Sequence, residues 1–348
     1  MKHTTINNKT KLISCTIRDY SFDNMKTFAI FCVVFSHIIL YIQSDVSNSI
    51  YKLIFSFHMP LFIYISGFFS KFNIKKILSQ IVLPYATFQL AYFLFEFYYL
   101  GTPITSKLYL QPNYIMWYMF CLIFWRLSII VLNKIPKKLH SIVVILTFLL
   151  GLYIGLKTNI GYKFSLSRML TLYPFFVLGY FHKQDKPKIK NKTLKIILKV
   201  FIVIAVTIAA YLTIKYQNKI DRYWYFGSYA YSKKNYTREI RFLIYIVALV
   251  WIMFFRLFTS KQPNFWTAIG ERTLWIYIMH GFIVKILRTE TYLAYLKYPI
   301  ISCFAITLLM LVPFTYNNKF PIVANTQTID ARKEVYQKHI AKLTKAHT

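Results

Sequence analysis

Two ionisable residues lie in the first long apolar segment of the chain. Lys26 and His37 are eleven positions apart in DNMKTFAIFCVVFSHII. On an α-helix this spacing makes about three turns, so both side chains lie on one stripe, roughly 16 Å apart along the axis. An imidazole can take up and return a proton at neutral pH, and an ammonium group can bind an anion. Because charge is costly in hydrocarbon, the pair predicts one water-accessible pocket inside a helix bundle.

The composition is that of a membrane protein. Of the 348 residues, 57% are hydrophobic and 19% aromatic, which is too apolar for a water-soluble domain of this length. The formal net charge is +32, but Lys and Arg cluster in short segments between apolar runs, so nucleic acid is not an expected partner. The four cysteines have no metal-ligand spacing, and neither a metal site nor a disulfide framework is predicted.

Apolar runs long enough to cross a bilayer recur about ten times. Basic residues accumulate in alternate connections and in both tails, and such residues are retained on the cytoplasmic side. We therefore predict an all-α, polytopic membrane helix bundle of about ten transmembrane helices with both termini cytoplasmic. High Lys, Ile, Asn and Tyr usage suggests an AT-rich genome, so the predicted location is a bacterial cytoplasmic membrane. The predicted parts are an N-terminal tail at 1–22, a transmembrane domain at 23–315 and a C-terminal tail at 316–348.

One connection departs from this charge pattern. Residues 215–237 lie on the predicted outer side and carry five Lys or Arg residues. The same connection contains DRYWYFGSYAYSKKNY, which is crowded with Tyr and Trp. Flat rings with a polar edge suit the membrane interface and sugar rings equally, so an interfacial belt and a sugar platform both stay open.

The predicted spans are rich in cations. Such an interior suits a negatively charged ligand, such as the phosphates of a nucleotide-like cofactor, and no carboxylate is expected near the midplane to carry the ion of a pump. His37 and His58 are expected at similar depth, as for a shared cavity. Arg241 and Lys285 are expected to extend to the membrane interface, and His280 is equally a candidate for a hydrogen bond to a neighbouring helix. The basic residues in or beside the spans are Lys26, His37, His58, Arg126, Arg168, Arg241, His280 and Lys285.

Several segments resemble the acyltransferase 3 family of integral-membrane acyltransferases, and most closely its fucose 4-O-acetylase-like branch. DNMKTFAIFCVVFSHII resembles the first-helix motif of the family, a basic residue, ten positions and a histidine. FHMPLFIYISGFF resembles the second-helix signature, and MWYMFCLIFWRL, SRMLTLYPFFVLGYF and AIGERTLWIYIMHGF resemble later blocks in the expected order. The resemblance runs from about 23 to 313 and implies the short form of the family, without an appended soluble domain.

The resemblance implies transfer of an acyl group, commonly acetyl from acetyl-CoA as co-substrate, to a hydroxyl of a cell-envelope sugar, polysaccharide or lipid-linked glycan. Lys26 and His37 match the catalytic first-helix motif, with His37 expected as the general base. Lys26 stands where many members have Arg, which keeps the charge but loses the bidentate fork. Lys26, with Arg126 as a helper, is expected to bind the phosphates of the donor, and extension of Arg126 to the membrane interface is an equally open alternative.

Three further residues have expected roles around this pair. His58 or Arg168 would stabilise the developing oxyanion or position the acceptor. Asp23, about one turn before Lys26, would orient the ammonium group. A covalent acyl-enzyme on Ser36, Ser66 or His37 itself is an alternative to direct transfer.

Two other classes of function stay open at this point. A transporter or flippase of lipid-linked sugars would also have aromatic spans and internal cations. A purely structural membrane partner would keep its function when Lys26 or His37 is replaced, as long as the fold stays intact.

Overall fold

The computed structural model describes residues 19–42, 44–102, 111–157, 163–185, 191–231, 234–289 and 296–316. Within these ranges every regular element is helical. Twelve helices are labelled here in chain order: α1 Ser21–Ile39, α2 Asp45–Phe55, α3 His58–Phe69, α4 Ile74–Tyr99, α5 Tyr114–Leu132, α6 Lys137–Leu156, α7 Leu166–Asp185, α8 Lys192–Lys215, α9 Arg238–Phe258, α10 Thr267–Glu271, α11 Thr273–Thr289 and α12 Pro299–Phe314.

Seven helical segments of the described chain are long and apolar enough to cross a membrane. They are α1, the consecutive pair α2 and α3, α4, α5, α6, α8 and α9. Helix α12 is a shorter apolar helix, while α7 and α11 are outside this set. The all-helical membrane class is thus confirmed, and the count of about ten spans with cytoplasmic termini stays a prediction.

Helix α1 lies in the interior of the bundle, packed against α2, α3, α10, α11 and α12. Its side chains at Ala29, Ile30 and Val33 are buried, so this helix faces protein on most of its sides. After α1 the chain reverses, and α2 begins at a capping box in which Ser44 and Ser47 exchange side-chain to backbone hydrogen bonds. The reversal places the end of α1 beside α2.

A break between α2 and α3 brings His58 to the first position of α3. Phe57 has φ −136°, which is outside the helical region, and Pro60 lies in the first turn of α3. Proline is tolerated there because the first-turn N–H groups have no partner within the helix. The break therefore directs a histidine inward at the depth where α1 ends.

Helices α3 and α7 are in close backbone contact. A Cβ atom on Gly67 would lie 2.0 Å from the carbonyl oxygen of Phe176, and one on Gly179 would lie 2.0 Å from that of Tyr64. Only glycine permits such an approach, which is the usual means of tight packing between membrane helices. The tight contact holds the second half of α3 against α7.

Candidate active site

His37 lies in the last turn of α1, among aromatic side chains. Its Nδ1 is 3.2 Å from the hydroxyl oxygen of Tyr114, and its ring centroid is 5.8 Å from that of Phe55. When Nδ1–H donates to the Tyr114 oxygen, Nε2 carries no proton and can act as a base. The contact with Tyr114 thus allows the tautomer that a general base needs.

Tyr114 is itself held in an unusual backbone conformation. Its φ is +40°, in the left-handed region, which costs a residue with a side chain about 1–3 kcal/mol. The preceding Asn113 donates its backbone N–H to Gln89 Oε1 at 2.9 Å and its side-chain amide to Glu96 Oε2 at 2.7 Å. Lys285 forms an ion pair with the same Glu96 carboxylate and lies 5.0 Å from the centroid of the Tyr114 ring. These contacts fix the tyrosine hydroxyl beside the imidazole.

The expected position of Lys285 at the membrane interface is therefore wrong. Its side chain is only 13% exposed, because Glu96, at 16% exposure, supplies an acidic partner inside the bundle. Two opposite charges that meet in a partly buried place stabilise each other more than an exposed pair would. The pair is part of the support for Tyr114.

A cavity of about 530 Å³ opens beside His37 and is called the histidine cavity below. His37, His58 and Arg168 all line it, so the structure brings together three of the residues selected from the sequence. Arg168 donates from Nε to the hydroxyl of Ser228, and its guanidinium carbon is 5.1 Å from the centroid of the Trp117 ring. The cavity thus combines imidazole, guanidinium and aromatic groups.

The ring nitrogens of the two other histidines near this cavity can be assigned from their partners. His58 Nδ1 lies 2.9 Å from the carbonyl oxygen of Ile54, and His280 Nδ1 lies 3.2 Å from that of Ile276. A carbonyl only accepts, so Nδ1 is the donor and Nε2 of each neutral ring carries no proton. Neutral His58 therefore cannot donate to an oxyanion, which argues against the oxyanion role for it.

His280 belongs to the site region although it does not line the histidine cavity. Its ring centroid is 5.5 Å from that of His37, and its buried Nε2 has no hydrogen-bond partner among the described residues. Sequence reasoning left His280 open between a site and a helix contact. The backbone bond to Ile276, within its own helix, leaves the distal nitrogen available towards the site.

Sequence reasoning missed two arginines of the histidine cavity. Arg222 and Arg288 line it, from a 3₁₀ turn at Arg222–Phe226 and from the end of α11. The basic, aromatic connection at 215–237 was the available signal, because it contains this turn. A hydrogen bond from Arg222 to the hydroxyl of Tyr223, 3.3 Å long, raises the pKa of the guanidinium, which keeps its charge.

The 3₁₀ turn at Arg222–Phe226, called the aromatic turn below, forms part of the cavity wall. Tyr223, Tyr225 and Phe226 line the histidine cavity together with Trp117 and Tyr51. Burial raises the pKa of Tyr225, so its hydroxyl stays protonated. The wall presents flat apolar faces with polar edges, the surface that suits a sugar ring.

A second cavity of about 580 Å³ is called the lysine cavity below, because Lys26 and Arg126 both line it. Lys26 Nζ is 2.7 Å from Asp23 Oδ1, which is the orienting contact expected from their spacing. Arg126 has a buried Nε without a hydrogen-bond partner in the part of the chain that the structure describes. An anion in this cavity would supply the missing acceptor.

The two cavities are neighbours that share part of their walls. Met59 and Tyr277 line both of them. The expectation that Lys26 and His37 face one pocket is therefore wrong in detail, since each lines its own cavity. The reason is the aromatic and thioether packing of α3 and α11 across the stripe of α1, which spacing along one helix does not reveal.

The two serines considered as acyl carriers are engaged elsewhere. Ser36 is buried and donates to the carbonyl oxygen of Val33 at 2.9 Å, while Ser66 Oγ lies 2.6 Å from the hydroxyl of Tyr118. Within the described ranges neither hydroxyl is hydrogen-bonded to an imidazole. A serine nucleophile needs an adjacent base, so this arrangement argues against either serine as the acyl carrier.

Arg241 is fully buried, which corrects its expected place at the membrane interface. It donates to the carbonyl oxygens of Gly151 and Tyr229, both at 2.8 Å, and to the hydroxyl of Tyr236 at 3.0 Å. Backbone carbonyls and a phenol thus replace the water that an interfacial arginine would contact. The residue joins α9 to α6 and to the segment that follows the aromatic turn.

These observations define a polytopic helical membrane protein with two adjoining cavities, one lined by imidazole and guanidinium groups and the other by Lys26 and Arg126. A family model described as an acyltransferase domain, that of acyltransferase 3, matches residues 19–317. The chain therefore belongs to the acyltransferase 3 family of membrane acyltransferases, as the motifs indicate. No curated protein and no solved structure matches the chain.

Proposed function

We propose that this protein is an O-acyltransferase that moves an acyl group, acetyl in the first instance, from acyl-CoA to a hydroxyl of a cell-envelope sugar or lipid-linked glycan. The likeness to the fucose 4-O-acetylase-like branch and the location in a bacterial cytoplasmic membrane are parts of this proposal. The observation that carries it is the shared wall at Met59 and Tyr277, across which the proposed base and the proposed donor-binding cations lie in adjoining cavities.

In the proposed reaction, Nε2 of His37 removes the proton of the acceptor hydroxyl while its oxygen attacks the thioester carbonyl. The new C–O bond forms, the C–S bond breaks, and the imidazolium returns the proton to the leaving thiolate. Tyr114 accepts the hydrogen bond from Nδ1–H and stabilises the imidazolium in this step. General base catalysis of this kind contributes about 10²- to 10⁴-fold in rate.

The lysine cavity is the proposed site of the donor phosphates. Lys26 and Arg126 supply the charges, and the unpartnered Arg126 Nε supplies a donor that fits a phosphate oxygen. Along α1, Lys26 and His37 are separated by roughly 16 Å, comparable to the length of a pantetheine arm. With the basic N-terminus in the cytoplasm, this cavity lies towards the acyl-CoA pool and the histidine cavity towards the outer face.

The function is tested by mass analysis of envelope glycans from cells with and without the protein, with radiolabelled acetyl-CoA supplied to their membranes. A mass difference of one acyl group and protein-dependent label in glycan support the proposal. Movement of lipid-linked sugar without any acylation would contradict it and favour a transporter.

Replacement of Arg126 by Gln is expected to raise the KM for acetyl-CoA about tenfold and to leave kcat nearly unchanged, because a charge-assisted bond to the donor is lost. Steady-state kinetics of detergent-purified protein measure both constants. Lys138→Gln, which changes an exposed lysine at the start of α6, is the control. An unchanged KM in Arg126→Gln would place the donor phosphates elsewhere.

Replacement of Tyr114 by Phe is expected to lower kcat about three- to tenfold with an unchanged KM for acetyl-CoA. The phenyl ring keeps the packing but no longer holds His37 Nδ1, so the base loses its preferred tautomer and orientation. Tyr98→Phe, at a side chain that is 78% exposed, is the matched control. Equal kinetics of the two variants would show that the contact has no role in turnover.

A further inference from the structure

We infer that the acceptor of the acyl group is an anionic sugar, whose carboxylate or phosphate group is bound by guanidinium groups of the histidine cavity. This inference rests on the proposed function and specifies its substrate class. It is carried by the charge of the cavity wall, to which Arg168, Arg222 and Arg288 contribute.

The three arginines come from separate elements and converge on one space. Arg168 lies at the start of α7, Arg222 begins the aromatic turn and Arg288 lies at the end of α11. No Asp or Glu is among the described residues that line this cavity. A cleft lined by one sign of charge focuses its field on the bound ligand, and the planar guanidinium group matches carboxylate and phosphate oxygens.

Two carboxylates lie close to this wall, but neither of them lines the histidine cavity. Asp221 precedes the aromatic turn and caps it, accepting from the backbone N–H of Tyr223 at 2.9 Å. Its charge acts on Lys52 as well as on Arg222, so it offsets only part of the local positive charge. Asp45 lies in the first turn of α2 and lines an adjoining open space, called the vestibule below.

The vestibule has a volume of about 640 Å³ and shares Leu40 and Arg222 with the histidine cavity. A ligand that entered from the vestibule would pass the Arg222 side chain. In the histidine cavity itself, Tyr223, Tyr225 and Trp117 offer faces for a sugar ring. The wall therefore combines ring stacking for the sugar with guanidinium groups for its charge, and His37 lines the same cavity for the reacting hydroxyl.

The substrate class is tested by the charge of the glycan that receives the label. Membranes with the wild-type protein or with His37→Gln are given radiolabelled acetyl-CoA, and their glycans are separated by anion exchange. The expected result is label in the retained fraction that depends on the wild-type protein. After mild alkali has released the labelled acetate, the glycan itself should still be retained. Cold aqueous hydrofluoric acid then separates the two sources, because it cleaves a phosphodiester glycan and leaves a carboxylate glycan retained.

Two different failures are distinguishable in this experiment. Label only in unretained, neutral glycan would overturn the anionic acceptor while the acyltransferase proposal stands. No wild-type-dependent label in any fraction would overturn the acyltransferase proposal itself.

The role of the arginines is tested in a kinetic assay. Its acceptor is the glycan fraction that anion exchange retains, prepared from cells that lack the protein. Arg222→Gln and Arg288→Gln are each expected to raise the KM for this fraction about tenfold, with the KM for acetyl-CoA unchanged. High salt should weaken acceptor binding to the wild type and have less effect on the double variant. Arg238→Gln, at an exposed arginine outside the cavity lining, is the control. Unchanged acceptor KM in the double variant would overturn the inference.

Discussion

Replacement of His37 by Gln is expected to reduce acyl transfer about 10²- to 10⁴-fold. Glutamine has a comparable size and can still donate to the Tyr114 oxygen, but it cannot take a proton from a hydroxyl at neutral pH. The measurement is transfer of radiolabel from acetyl-CoA to envelope glycan by protein reconstituted in vesicles, normalised to the amount of folded protein. Unchanged elution on size exclusion shows that the loss is chemical and not a loss of fold.

His58→Gln is the matched comparison because His58 lines the same cavity. Its Nδ1–H is already used by the carbonyl oxygen of Ile54, and the glutamine amide can replace that donor. We expect this variant to lose less than about tenfold in rate, since only a side contact to the acceptor changes. A larger loss in His58→Gln than in His37→Gln would assign the base to His58 instead.

Replacement of Arg241 by Met is expected to destabilise the fold strongly. The arginine is completely buried, and its removal deletes the hydrogen bonds that the guanidinium donates to the carbonyl oxygens of Gly151 and Tyr229. Each hydrogen bond from a charged group contributes about 1.5–3 kcal/mol, and more than one such bond is lost at once. The expected result is a large fall in the Tm of the purified protein and in its yield from membranes.

Arg238→Met provides the control on the same helix, one turn earlier. The Arg238 side chain is 66% exposed and lies 3.7 Å from Glu239, so its loss should change stability by less than about 0.5 kcal/mol. Thermal unfolding of both variants in the same detergent compares them directly. A Tm of Arg241→Met equal to that of Arg238→Met would contradict the structural role of the buried guanidinium.

The first-helix pair illustrates what spacing along a chain can predict. Eleven residues on a helix define a shared stripe, and the contact between Lys26 and Asp23, three residues apart, follows from the same periodicity. The separation into two cavities does not follow, because Met59 and Tyr277 come from other helices. Local spacing determines direction along one helix, while neighbours in space determine what lies in that direction.

The partners of the charged groups show the same limit. Glu96 and Lys285 are 189 residues apart, and His37 and Tyr114 are 77 residues apart. From the sequence, Lys285 and Arg241 are expected at the membrane interface, since a long basic side chain near a span end can extend to water. In the folded bundle, a carboxylate lies beside Lys285, and carbonyl and phenol oxygens lie beside Arg241. These partners compensate for the burial of the two charges, and only helix packing brings them into place.

The sequence by itself determined that this protein is an all-helical membrane protein, that it has a cation-rich interior and that its motifs are those of the acyltransferase 3 family. Hydropathy, composition and local motifs carry that information because each depends on residues close together in the chain. Only the tertiary structure decided that His37 contacts Tyr114 and that Lys26 lines a separate cavity. It also decided that Arg222 and Arg288 line the histidine cavity. Those arrangements depend on contacts between distant helices, whose free energy is a property of the packed bundle and not of any one segment.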